Sequence, residues 1–148
     1  MKIRNKLDMA KKVTVTFEAQ SDKSYSCIVN EKFEKFGLIG YGATAREAEK
    51  DVFVALSELK DRLGDDVPQI EISRRNFDVP SFFSYYPYFN ITQLAKFAGM
   101  NATQLRQYAS GIRKPTKQKL EQLNEAIKNI AEMFLSDSRA FSIEWLLY

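Results

Sequence analysis

The chain has 148 residues, 45% of them hydrophobic, with 22 Lys/Arg against 19 Asp/Glu; that composition fits one compact core or two small ones and excludes a disordered polymer. It contains no histidine and one cysteine, Cys27, so the commonest metal ligand and general base is missing and no internal disulfide can close. No apolar run approaches the ~20 residues of a membrane span, and the opening MKIRNKLDMAKK lacks a signal-peptide core, so the expectation is a cytoplasmic protein with no membrane partner.

In chain order, KVTVTFEAQ at 12–20 alternates Val13, Val15 and Phe17 with Thr14, Thr16 and Glu18, the pattern of a half-buried strand. SDKS supplies turn chemistry, and Tyr25, Cys27 and Val29 repeat the period of two, which predicts a hairpin. GLIGYG reads as a third strand whose glycines mark bulges or close backbone approach. Thr44 and Glu47 form a capping box before a helix carrying Ala48, Val52, Ala55, Leu56, Leu59 and Leu63, ended by Gly64. VPQIEIS offers a fourth strand at 67–72. The first domain is therefore expected at 1–72 with the order β-β-β-α-β, and SRRNFDVPS at 73–81 is read as a linker.

A second, all-α domain is expected at 82–148, making the whole chain α+β. Phe82, Phe83, Tyr85 and Tyr86 are read as packing its first helix onto its core in preference to stacking on bases. Asn90 caps a helix bearing Ile91, Leu94, Ala95 and Ala98; Gly99 ends it in a left-handed turn, and Met100 plugs the turn from below. Asn101 caps the next helix, ATQLRQYAS, which buries Leu105 and Tyr108. Two short helices joined by a glycine turn make a helix-turn-helix, whose second helix fits the DNA major groove.

Charge distribution supports this reading. Residues 1–66 hold 12 bases and 12 acids, whereas residues 67–148 hold 10 and 7, so the net +3 lies in the second half. Between Val79 and Leu120 there is no acid, only Lys96, Arg106, Arg113, Lys114, Lys117 and Lys119. A solvated helix face usually mixes signs, whereas a phosphate-facing one does not. Thr103, Gln104, Arg106 and Gln107 face outward on the second helix and are assigned to base reading, since Gln can pair with adenine and Arg with guanine. Thr92, Arg113, Lys114 and Lys117 flank that helix and are assigned to phosphate anchoring. The expected partner is double-stranded operator DNA. Such readers place two recognition helices about 34 Å apart, so a homodimer or higher even oligomer is expected; the apolar tail FSIEWLLY at 141–148 packs either on its own domain or on the partner subunit, and the partner is the favoured site.

Residues 91–120 resemble the helix-turn-helix of phage repressors (the XRE/Cro-like type), down to S-G-x-R-K-P in SGIRKP, with Ala109 where that family often has an acid. Residues 11–72 resemble HicB antitoxins through KVTVTF, SYSCIV, the G-x-G-x-T of GYGAT and the helix opening AREAEKDV. This second resemblance implies a partial ribonuclease-H-like domain that holds an mRNA-cleaving, HicA-like toxin, while the other domain represses the shared operon. Glu18, Asp22 and Glu71 are too scattered for two-metal nuclease chemistry, and Cys27 has no accompanying base, so no catalytic residue, metal or cofactor is expected and the chain is read as a non-enzyme. A one-component regulator whose first domain binds a small ligand stays open as the alternative.

Overall fold

The computed structural model describes residues 10–139 and 141. The chain forms two compact units, the first running to Phe89 and taking in Ala109–Gly111 as well, the second made of Asn90–Tyr108 and the residues from Ile112 on. The described residues are α+β, with four strands and five α-helices, and none of those helices is long and apolar enough to cross a membrane.

In the first unit the alternating segments become β1 (Lys11–Ala19), β2 (Tyr25–Val29) and β3 (Ile39–Gly42), followed by α1 (Ala45–Leu63), a single 3-10 turn (Gly64–Asp66) and β4 (Ile70–Phe77). The sheet runs β3-β2-β1-β4; β1 pairs antiparallel with β2 and parallel with β4, and β2 pairs antiparallel with β3. Val13, Val15, Phe17, Cys27 and Val29 form one cluster with Ala45, Ala48 and Val52 of α1, so the helix covers one face and the threonines of β1 stay on the other. The capping box forms: Thr44 Oγ1 accepts from Glu47 N–H at 3.1 Å, and the Glu47 carboxylate accepts from Thr44 N–H at 3.2 Å. Gly40 and Gly42 permit the close approach of β3 to α1, since a Cβ at Gly42 would stand 2.5 Å from Ala48 N.

The 73–81 segment, expected as a linker, is mostly regular structure. β4 starts at Ile70 and runs on to Phe77 because the β1–β4 register shifts between Val13 and Thr14. Ser73 is the extra residue at that bulge, its hydroxyl donating to Val13 C=O at 3.1 Å. The shift sets Arg75 opposite Val15 and Phe77 opposite Phe17. Asp78 then caps α2 (Val79–Tyr85), accepting from Ser81 N–H at 2.9 Å and from Ala19 N–H at 2.8 Å, which ties the helix start to the end of β1.

The aromatic segment also differs from expectation: it packs on the first unit. Phe77 stacks on Phe17 with ring centroids 4.8 Å apart, and Tyr85 and Phe82 meet Phe77 edge-on at 5.3 and 5.7 Å. Tyr85 O–H donates to Glu49 at 3.0 Å, and the same carboxylate pairs with Arg75 Nε at 2.6 Å, joining α2, α1 and β4 through one side chain.

The second unit contains α3 (Ile91–Ala98), α4 (Ala102–Ser110) and α5 (Lys117–Ser136). Leu94, Ala95, Met100, Leu105, Tyr108, Leu123 and Ala126 are its buried apolar side chains. Of the apolar tail at 141–148, all but Phe141 lies outside the described residues.

Candidate nucleic-acid interface

The α3–α4 pair is built from local signals. Asn90 Oδ1 accepts from Gln93 N–H at 3.0 Å and Asn101 Oδ1 accepts from Gln104 N–H at 3.0 Å, so each helix has its first turn satisfied by the residue before it. Gly99 takes φ 68° and ψ 32°, the left-handed conformation that ends a helix at little cost only for glycine. Met100 fills the space under the turn and is buried. A contribution that local spacing does not reveal comes from α5, whose Gln122 Nε2 donates to the carbonyls of Ala98 at 2.7 Å and Gly99 at 3.1 Å. Those carbonyls belong to the last turn and cap of α3, which otherwise need water or a cap.

Burying Leu105 and Tyr108 turns the opposite side of α4 outward. Thr103 and Arg106 are exposed, and Gln104 and Gln107 are half-buried. All four base-reading candidates therefore sit on one short helix with their polar groups near or at the surface. Of the phosphate-anchoring candidates, Arg113, Lys114 and Lys117 are exposed around the α4–α5 connection, and Thr92 is half-buried at the start of α3. Arg113 N–H donates to Gln107 C=O at 3.3 Å, which folds the connection back against the end of α4 after the turn at Gly111, where φ is 79°.

The two predicted sets meet at one point. Arg106 Nη1 donates to Thr92 Oγ1 at 2.9 Å, and Nη2 lies 3.5 Å from Thr103 Oγ1. No spacing rule would have found the first contact, because the residues are fourteen apart on different helices.

Among the described residues the ion pairs are Lys35–Asp66 and Arg75–Glu49, both in the first unit. No cation of the second unit lies within ion-pair distance of a carboxylate among the described residues.

Glu18, Asp22 and Glu71 are exposed, and Asp22 accepts from the N–H and hydroxyl of Ser24, which lowers its carboxyl below the usual range. No metal-holding group of acids and cysteine occurs among the described residues. Cys27 is buried, and desolvation, with a smaller push from Glu49, raises its thiol to about 12, so it stays protonated and unreactive. A surface recess of about 300 Å³ is lined by Phe33, Phe36 and Pro68 together with the charged side chains of Glu34, Lys35, Asp65 and Asp66. Set against known proteins, the chain matches no protein-family model, no curated protein and no solved structure.

Proposed function

We propose that the chain is a sequence-specific DNA-binding transcriptional regulator in which α3 and α4 act as a helix-turn-helix and α4 enters the major groove. The observation that carries this reading is the outward face of α4: Thr103, Gln104, Arg106 and Gln107 on a helix capped at its start, beside cations with no carboxylate partner among the described residues. Base edges in the major groove are read by such amide and guanidinium groups, and phosphates by the flanking bases. The test is a titration of a duplex enriched by the protein from a randomised pool, against a scrambled duplex, at several salt concentrations. Gln107→Ala should cost about 1–3 kcal/mol and relax one base position with little change in salt slope. Lys114→Ala or Lys117→Ala should weaken binding to both duplexes alike and reduce the salt slope by about one unit. Equal wild-type affinity for the two duplexes would sink the reading.

Within that role, we propose a HicB-type antitoxin that sequesters an mRNA-cleaving, HicA-like toxin and represses its own operon as a homodimer or higher even oligomer. The β-β-β-α-β run that precedes α2 in the first unit, with the motifs KVTVTF, SYSCIV and GYGAT, supports it. The exposed end of α5, with Phe134 70% and Leu135 78% accessible, supports self-association. Co-expression of residues 1–89 with a small basic neighbouring gene product tests toxin capture: growth arrest that persists despite soluble, folded fragment counts against it. Sedimentation of Phe134→Lys, Leu135→Lys protein tests the dimer surface; an unchanged dimer removes this end of α5 from it. The surface recess beside Phe33 and Phe36 favours the second reading, a one-component regulator responding to a small ligand, and absence of any adjacent toxin gene would point there.

A further inference from the structure

Arg106 is the only basic side chain of α4. A long guanidinium on an exposed helix samples many rotamers, and the entropy of fixing one opposes any bidentate contact it makes. Here two hydroxyls hold it from two helices: Thr92 Oγ1 of α3 at 2.9 Å from Nη1, and Thr103 Oγ1 at 3.5 Å from Nη2. Of the five guanidinium N–H groups, these contacts occupy two and leave three with no partner among the described residues. Two suffice for the paired hydrogen bonds to guanine O6 and N7. A carboxylate at position 92 would hold the guanidinium more firmly but would cancel its charge; a neutral hydroxyl orients it and leaves the charge intact.

We propose that Thr92 is a positioning residue for base recognition, fixing Arg106 so that α4 selects guanine at one position of the bound duplex. This rests on the DNA-reading role proposed above and gives Thr92 a part different from phosphate anchoring, because a phosphate contact acts on all sequences alike whereas a fixed arginine acts on one base.

The experiment uses the full chain as wild type, Thr92→Val, Thr92→Ser and Arg106→Ala, each titrated against the duplex that wild type enriches from a randomised pool and against its single-base variants at several salt concentrations. Arg106→Ala should relax one guanine position. Thr92→Val should relax that same position by about threefold to tenfold with the salt slope unchanged, and Thr92→Ser should restore it. In the free protein, nitrogen relaxation of the Arg106 Nε–H should report an ordered side chain in wild type and Thr92→Ser and a mobile one in Thr92→Val, with matching thermal melts showing that all three are folded. The inference is overturned, with the DNA reading intact, if Thr92→Val weakens every duplex equally and lowers the salt slope by about one unit, or if it behaves as wild type. Failure of the wild type to enrich any motif overturns both.

Discussion

Single residues in the first unit carry constraints out of proportion to their size. Gly40 lies so close to α1 that a methyl group there would run into Ala48 C=O and sit 2.6 Å from Val52 N. Both neighbours are helix backbone and cannot swing aside. Gly40→Ala should therefore destabilise the unit by about 1–3 kcal/mol or more, read as a lower urea midpoint, while Gly37→Ala, which meets nothing within 4 Å, should leave the midpoint near wild type. Cys27 sets a pH limit. Its thiol is raised by burial from the usual 9.0 to about 12, so the unfolded chain releases that proton first as pH rises. Tyr85 shifts the same way, chiefly through burial and then through its bond to Glu49. Cys27 contributes stability that is present below pH 9 and is lost as pH climbs toward 12, and the contribution of Tyr85 is likewise lost on the alkaline side, above its ordinary value of 10.0. Chemical denaturation at pH 7, 9 and 10.5 should show a decline confined to the alkaline side, and Cys27→Ala should lessen it.

At the scale of the element, α3 and α4 are too short to persist alone: eight and nine residues fall below the ~12–15 at which isolated helices become marginally stable. Their caps matter accordingly. Asn101→Ala removes the acceptor of Gln104 N–H at the start of the helix that carries the candidate base readers. The expected cost is about 1 kcal/mol, visible as a lower melting temperature together with faster amide exchange in the first turn of α4. Asn101→Asp should keep most of that stability, because the carboxylate still caps, yet it should weaken the proposed DNA binding by setting a negative charge beside the helix proposed to enter the groove. A stability change and a binding change that travel together in both variants would count against this separation.

Across the whole molecule, the main run of the first unit extends to Phe89, well beyond residue 72. A fragment of residues 1–72 loses the second half of β4, the Asp78 cap that also binds Ala19, the Phe77 and Tyr85 rings against Phe17, and the Phe82 ring against Phe77. Burial of even one such ring is worth roughly 1.5–3 kcal/mol, a large part of what a domain this small retains. Residues 1–89 should melt cooperatively with a folded circular-dichroism signature, whereas residues 1–72 should not. A cooperative transition in the shorter fragment would show that the aromatic segment is dispensable.

The elements that the sequence by itself determined are those whose signal is contained within a few neighbouring residues. Val13, Val15 and Phe17 alternate, and β1 buries them; Thr44 with Glu47, Asn90 with Gln93 and Asn101 with Gln104 each close a cap over three residues; Gly99 needs only its own backbone freedom to stop α3. The outward position of Thr103 and Arg106 follows equally from the burial of Leu105 and Tyr108 on the same helix. The remaining features depend on which surfaces meet. A bulge at Ser73 breaks the period of two, so β4 looked finished at Ile72 although Arg75 and Phe77 still face Val15 and Phe17 across the ladder. The aromatic segment carried no mark of which core it would join, because apolar rings bury equally well against any complementary surface. Gln122 on the Ala98 and Gly99 carbonyls, and Thr92 on Arg106, link residues 14 to 24 positions apart. Hydrogen bonds of that range depend on how helices pack, a collective result of the whole core that no window of neighbouring residues contains.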